Sequence, residues 1–214
     1  GAIASLTPDV VNGDLFPDFL TGDSDNNFLH GADGGDVLAA GAGNDVLTGG
    51  SGSDLIDGGE GADTASWAGE AVYGFEIALG EGAAAGSASE QEGDMGPVLV
   101  AGASVSSLME APNADGVLDE DIIYGIENVI GSDGHDKITG NSDDNRLEGG
   151  AGNDTIEVSS GLNFILGEAG ADSLTGGSDR DLLFGGLDND TSYGGGGEDI
   201  IEGGAGVEHL YASS

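Results

Sequence analysis

The chain is dominated by a nonapeptide repeat that stays in frame over long stretches. Residues 131–211 divide into nine consecutive nonapeptides without an insertion, and residues 13–66 divide into six more. The best-formed copies, such as residues 149–157 (GGAGNDTIE), follow the pattern GGxGxDxUx, in which U is a large aliphatic residue. A unit of nine residues cannot bury a core of its own and must pack against its neighbours, so the period predicts a solenoid.

Each position of the repeat has a physical role. Glycines at positions one, two and four allow the left-handed backbone conformations of a tight turn and let carbonyl groups converge. The aspartate at position six adds a hard carboxylate, which suits Ca²⁺ because that ion takes about 6 to 8 oxygen ligands. The last three residues form a short strand whose position-eight side chain points inward, because side chains alternate along an extended chain.

This pattern resembles the RTX (repeats-in-toxin, hemolysin-type) calcium-binding nonapeptide repeat family, and the resemblance covers both arrays, about two thirds of the chain. It implies an all-β fold, a right-handed parallel β-roll or β-helix solenoid with calcium in the GGxGxD turns, its two repeat arrays joined by a β-rich insert. Two nonapeptides would form one coil, so equivalent turns on one edge would recur every 18 residues.

The same resemblance implies several Ca²⁺ ions, each held between stacked turns by the aspartate of one turn and by backbone carbonyls of that turn and the next on its edge. The implied pairs are Asp18 with Gly31, Asp36 with Gly49, Asp45 with Gly58, Asp136 with Gly149, Asp154 with Gly167, Asp172 with Gly185, Asp181 with Gly194, and Asp190 with Gly203. The other residues assigned to metal sites are Asp54, Asp63, Gly152, Gly170 and Asp199.

Some turns depart from the pattern. Asn27, Asn145 and Asn163 occupy position six without charge, so we expect those turns to bind calcium weakly or not at all. In the last coil Ser192 replaces an aliphatic residue and Glu208 replaces the aspartate.

The repeats also set the expected domain boundaries. Residues 1–12 lead in, 13–66 form the first array, 67–130 form a non-repeat insert and the junction that leads back into the repeats, 131–211 form the second array, and 212–214 form a tail. Alternating apolar residues from Tyr73 to Leu79 predict a strand. Residues 81–96 predict an acidic loop, and residues 98–109 a strand or buried segment. The insert either widens the middle coils of one roll or forms a small separate domain between two rolls.

Charge and composition favour metal-dependent folding. The chain has 41 acidic and 3 basic residues, a formal charge of −38, and 44 glycines. Self-repulsion opposes compaction, and bound divalent cations would offset it. The same charge argues against a nucleic acid partner, because phosphates would be repelled. No apolar run approaches the ~20 residues of a transmembrane helix. Cysteine is absent, which fits an exported protein and also many cytosolic ones.

No catalytic motif is found. HExxH, GxSxG and a P-loop are absent, and His30, His135 and His209 fall at repeat positions nine, five and seven, where surface residues are expected. The spacing of the carboxylates is accounted for by calcium, and positions seven and nine show no regular threonine ladder of the kind an ice-binding face needs. We expect no enzymatic activity in this chain.

We therefore expect a calcium-binding segment of an extracellular, type I-secreted bacterial protein, with no initiator Met because it is part of a longer chain. It would fold on binding Ca²⁺, be secreted or associated with the cell surface, and have as partners the type I secretion machinery and cell-surface or matrix components. The favoured context is an adhesin or biofilm surface protein. The alternative is the accessory C-terminal domain of a secreted protease, lipase or polysaccharide-modifying enzyme.

Overall fold

The computed structural model describes residues 3–4, 10–68, 75–78, 86–90 and 120–212. Within these ranges all regular structure is β-strand, and no helix occurs. The chain forms two compact units, one of Gly1–Ser66 with Leu79–Ile126 and one of Trp67–Ala78 with Glu127–Ser214.

The first unit contains two sheets built from the first array. One sheet has the order β1 (Ile3–Ala4), β3 (Phe19–Thr21), β5 (Val37–Ala42), β7 (Leu55–Glu60), β11 (Glu120–Tyr124) and β10 (Gly86–Glu90). The other has the order β2 (Val10–Asn12), β4 (Phe28–Asp33), β6 (Val46–Ser51) and β8 (Thr64–Ser66). Neighbouring strands run parallel, except that β10 is antiparallel to β11.

The second unit repeats this design with the second array. One sheet has the order β9 (Phe75–Ala78), β13 (Lys137–Thr139), β15 (Thr155–Glu157), β17 (Ser173–Thr175), β19 (Thr191–Tyr193) and β21 (His209–Tyr211). The other has the order β12 (Asn128–Ile130), β14 (Arg146–Ala151), β16 (Phe164–Ala169), β18 (Leu182–Leu187) and β20 (Ile200–Ala205). All these pairs are parallel.

The register of the sheets confirms the coil length predicted from the sequence. Within each array, paired residues lie 18 apart, as in Val37 with Leu55 and Thr155 with Ser173. Position eight points into the core, and its side chains stack at 0% exposure in columns such as Leu147, Ile165 and Leu183, whereas Leu210 in the last coil is exposed. Burying each such side chain contributes about 1.5–3 kcal/mol, so these columns are the hydrophobic core of the solenoid.

Strands from the insert join the sheets of the arrays. Ile77 of β9 aligns with Ile138 of β13, and Ile123 of β11 aligns with Ile56 of β7. The acidic loop predicted for residues 81–96 is wrong at Gly86–Glu90, because these residues pair with β11 although they lack an apolar alternation that would indicate a strand. The segment 98–109 lies outside the described residues, and the domain boundaries predicted from the sequence stay a prediction.

Trp67 is 1% exposed, so its ring belongs to the core of the second unit. The part of the chain that the structure describes contains no helix long and apolar enough to span a membrane.

Candidate metal centre

The position-six residues are buried along the edges where turns stack. Asp154 is 1% exposed, and the other position-six aspartates from Asp18 to Asp190 are also buried, whereas Asp199 is partly exposed. Removing a carboxylate from water is costly unless hydrogen bonds or a cation compensate. The partners of each carboxylate therefore decide what these turns can do.

One carboxylate oxygen of most position-six aspartates accepts a hydrogen bond from the previous coil. The backbone N–H of Asp154 donates to Oδ1 of Asp172 at 2.8 Å, and the N–H of Asp172 donates to Oδ1 of Asp190 at 2.9 Å. The same bond recurs at Asp54, Asp63, Asp154 and Asp199, which accept from Asp36, Asp45, Asp136 and Asp181. Sequence reasoning did not foresee this ladder, which ties position six of one coil to position six of the next.

The ladder also includes residues that depart from the repeat. Oδ1 of Asn163 accepts from the N–H of Asn145 at 3.0 Å, and Oε2 of Glu208 accepts from the N–H of Asp190 at 2.9 Å. Glu208 therefore takes the structural place of the aspartate in the last coil.

The second carboxylate oxygen is left without a hydrogen bond in many turns. Buried atoms of this kind are Oδ2 of Asp36, Asp45, Asp154, Asp172, Asp190 and Asp199, and Oε1 of Glu208. Leaving a buried acceptor unsatisfied costs about 1–3 kcal/mol, and more when the group is charged. These oxygens are thus strong candidates for cation ligands.

A backbone carbonyl of the next coil lies close to the second carboxylate oxygen, beside position one of the turn. A Cβ atom built on Gly167 would collide with Oδ2 of Asp172 and lie 2.6 Å from the carbonyl oxygen of Gly185. The same convergence on position one occurs for Asp18 with Gly31, Asp36 with Gly49, Asp136 with Gly149, Asp154 with Gly167, Asp181 with Gly194 and Asp190 with Gly203. The structure thus brings together seven of the eight predicted pairs; in the eighth, position one is Ala40, and the N–H of Asp45 bonds Asp63 at 2.8 Å in the turn that starts at Gly58.

Glycines at positions two and four allow the turns to stack this closely. Gly150 and Gly152 have φ angles of +109° and +123°, and a Cβ on either would collide with a carbonyl of the previous coil. Gly170 stacks in the same way on the carbonyl of Gly152. Backbone carbonyls consequently lie close to the next turn, as the implied calcium sites require.

Not every predicted ligand has an unsatisfied oxygen. Oδ2 of Asp18 accepts from the N–H of Asp14 at 2.8 Å, and Oδ2 of Asp181 accepts from the N–H of Gly177 at 2.8 Å. Asp136 accepts from both the N–H and the hydroxyl of Ser132, at 2.7 and 3.1 Å. The turns are therefore not equivalent.

Burial raises the pKa of five carboxylates in turns that lack this second bond. It raises the pKa of Asp154 to about 8 and that of Asp172 to about 6, while the donated backbone N–H opposes the shift. Burial likewise raises the pKa of Asp36, Asp45 and Asp190. A cation next to these oxygens would favour their charged form, whereas without one they favour a proton.

The donor set fits a hard cation. It consists of carboxylate and carbonyl oxygens, the ligand types that Ca²⁺ and Mg²⁺ prefer, and it presents no nitrogen or sulfur ligand. Within the described residues, no group of three or more His, Cys, Asp or Glu side chains is close enough to hold a metal. Backbone carbonyls must supply most of the ligands, which suits the larger and more flexible coordination of Ca²⁺ better than that of Mg²⁺.

Comparison with known proteins agrees with this donor set. A family model described as the RTX calcium-binding nonapeptide repeat matches residues 5–38, 30–65, 121–156, 157–192 and 184–214, together more than half of the chain. No curated protein matches the chain at a significant level.

Among solved structures, the chain is similar to the extracellular lipase LipA from Serratia marcescens, with 19% identity and a TM-score of 0.21. The match covers 90% of this chain and 33% of the lipase, so this chain spans about a third of the lipase's length.

Proposed function

Because the chain belongs to the family of RTX calcium-binding nonapeptide repeat proteins, we propose that it is a structural segment of an extracellular bacterial protein that folds when Ca²⁺ fills its turns. Bound Ca²⁺ neutralises the negative charge of the buried carboxylates. The observation that carries the proposal is the set of buried second oxygens without a partner, all of which, except that of Asp45, lie in turns that begin with glycine.

Two kinds of oxygen in the turns would hold the ion, side-chain carboxylate oxygens and backbone carbonyl oxygens. Asp154 and Asp172 present Oδ2, and the carbonyls of Gly167 and Gly185 approach the same points from the next coil. Oδ1 of each aspartate remains bonded to the previous coil. An ion held in this way joins two coils, so its binding free energy becomes folding free energy.

Calcium binding would determine both the stiffness of the segment and the place where it folds. A solenoid whose coils contact only their neighbours gains stability coil by coil, so calcium would stiffen the segment along its length. Export through a type I secretion system would keep the chain unfolded in a cytoplasm poor in Ca²⁺, and folding would follow outside the cell. In this proposal the segment catalyses no reaction, and it acts as a spacer or adhesive module of an adhesin or biofilm surface protein. The alternative context is the accessory domain of a secreted enzyme.

Circular dichroism of the full chain tests the calcium-dependent folding. We expect a largely unfolded spectrum in chelator, a β spectrum in millimolar Ca²⁺, and little change with Mg²⁺ or with added NaCl. Monovalent salt screens surface repulsion but cannot replace a ligand-bound cation in a buried site. A β spectrum that is the same in chelator and in Ca²⁺ would contradict the proposal. Equal folding in NaCl would show that charge screening, rather than bound calcium, causes folding.

A further inference from the structure

We propose that the fifteen repeats divide into nine turns that bind calcium and six that are complete without it, and that the residue at position two sets the class. This inference rests on the calcium-binding function proposed above and adds which turns carry it. We call the two classes open and closed turns. They are distinguished by the backbone conformation at position two, and seven of the nine open turns also have a second oxygen without a hydrogen bond, those of Asp36, Asp45, Asp154, Asp172, Asp190, Asp199 and Glu208.

The closed turns begin at residues 13, 22, 131, 140, 158 and 176. In five of them the position-two N–H donates to the position-six side chain. The pairs are Asp14 to Asp18 at 2.8 Å, Asp23 to Asn27 at 2.8 Å, Ser132 to Asp136 at 2.7 Å, Asn141 to Asn145 at 3.0 Å, and Gly177 to Asp181 at 2.8 Å. The carboxylate or amide oxygen is thus satisfied by its own turn.

The sixth closed turn satisfies itself through an amide. Nδ2 of Asn163 donates to the carbonyl oxygens of Ser160 and Gly161, at 3.0 Å each, and also to Oδ1 of Asp181 at 2.9 Å. These are oxygens of the kind that a cation in the turn would need. The amide group therefore satisfies the oxygens of this turn that an ion would bind in an open turn.

A short polar side chain at position two accounts for most closed turns. Position two is Asp14, Asp23, Ser132, Asn141 or Ser159 in five of the six. In the first four, its side-chain oxygen accepts the N–H of position four at 2.9–3.1 Å. Such a local bond favours a right-handed turn and competes with the left-handed conformation. Gly177 is the exception, since glycine adopts either conformation.

The open turns begin at residues 31, 40, 49, 58, 149, 167, 185, 194 and 203. Position two has a positive φ in every one, including the non-glycine residues Ala32 at 83° and Glu168 at 76°. With the backbone turned this way, the position-two N–H does not reach the carboxylate, and Oδ2 of residues such as Asp154 is left without a hydrogen bond. Burial does not separate the classes, because Asp154 is 1% and Asp136 is 2% exposed.

The two classes are not scattered at random. In each array the first two turns are closed, so the first coil of each array is complete without an ion. In the second array, the closed turns at 140, 158 and 176 follow one another on one edge, whereas the open turns at 149, 167, 185 and 203 stack on the other. Calcium bound by the second array would therefore lie mainly along a single edge.

Two substitutions of equal charge test this division in the full chain. Asp154→Asn removes the ligand of an open turn, and Asp136→Asn changes a closed turn, where natural asparagines at 27 and 145 already make the same bond. We expect Asp154→Asn to lose one bound ion per chain and to raise the calcium midpoint for folding by about tenfold, the effect of losing one charged ligand. Asp136→Asn should keep the wild-type ion count and midpoint.

The readouts are the bound calcium per chain, measured by elemental analysis after dialysis, and the circular dichroism titration. Loss of one ion from both variants would overturn the division while leaving the calcium-binding function standing. No bound calcium in the wild type would overturn the function itself. If Asp154→Asn does not fold at any calcium concentration, the pair Asp36→Asn and Asp18→Asn in the first array gives the same comparison, and an ion count that Asp36→Asn leaves unchanged would overturn the inference.

Discussion

At the scale of single residues, the glycines at position four decide how closely the coils approach. Gly152 has a φ of +123°, and a Cβ there would collide with the carbonyl oxygen of Gly134 in the previous coil. Gly196 also lies in a turn of the second array, but a Cβ there would lie 3.2 Å from its nearest neighbour, Ser178 O. The two positions therefore differ in steric demand although both are glycine.

We expect Gly152→Ala to destabilise the calcium-loaded protein by at least about 1–2 kcal/mol, because a left-handed residue with a Cβ is strained and the added carbon collides with backbone. Gly196→Ala should cost clearly less. Urea denaturation in saturating Ca²⁺ measures both values. Equal losses for the two variants would argue against close stacking at position four.

A polar residue in the core column makes a second prediction at this scale. Ser192 is aligned with Leu174 and Leu210 in adjacent strands, is fully buried, and its hydroxyl has no hydrogen-bond partner. We expect Ser192→Ala to stabilise the protein by about 1 kcal/mol, since it removes an unsatisfied polar group without adding volume. Ser173→Ala, at an outward-facing position, is the control and should change stability little. A destabilised Ser192→Ala variant would show that the hydroxyl is satisfied in solution.

At the scale of elements, the strand and the turn differ in how far the sequence predicts them. The nine-residue repeat gives the inward position eight, because side chains alternate along an extended segment, and the resemblance to the RTX family gives the coil of two nonapeptides. With that coil length, the carboxylate of one turn meets the position-one carbonyl 13 residues later, as in Asp172 with Gly185. The strand Gly86–Glu90 was missed, since pairing with β11 rather than any local pattern makes it extended.

The repeat pattern did not predict whether a given turn is open or closed. Ala32 and Glu168 adopt left-handed conformations that the template reserves for glycine, whereas Gly177 does not adopt one. The signal that could have found the closed turns is an Asp, Asn or Ser at position two, read as the start of a local side-chain turn. The calcium sites were predicted from position six instead, and aspartate occurs there in both classes of turn.

The stack of open turns in the second array predicts how pH acts on the calcium-free protein. Burial raises the pKa of Asp154 to about 8 and of Asp172 to about 6, above the value of about 3.9 in an unfolded chain. The stability contributed by these groups is therefore fully present below about pH 4 and is lost as pH rises through 6 and 8. We expect the chain in chelator to gain β structure as pH falls from 8 to about 5.

Circular dichroism in chelator across this range measures the effect. General charge neutralisation acts in the same direction, so the double variant Asp154→Asn, Asp172→Asn is the control and should flatten the change between about pH 6 and 8. A calcium-free spectrum that does not respond to pH would contradict the burial of these carboxylates in the folded state.

At the scale of the whole molecule, charge and fold oppose each other. A formal charge of −38 favours an expanded chain, while the two sheets of each unit require carboxylates to be packed in register. The hydrophobic columns contribute one side chain per nonapeptide, so they cannot readily offset the cost of ordering the other eight residues. Calcium in the open turns reconciles the two, because it neutralises the buried charge at the point where coils meet.

Hydrogen exchange with and without Ca²⁺ tests this claim most directly, because the amides that join successive coils are known. The N–H of Thr155 donates to Asp136 O and the N–H of Ser173 to Asp154 O, each at 2.8 Å, and the first array has the equivalent bond from Leu55 to Asp36. The account predicts strong protection of these amides in Ca²⁺ and rapid exchange in chelator at neutral pH, in both arrays. Equal protection in chelator would contradict it, since the coils would then be stable without the ion.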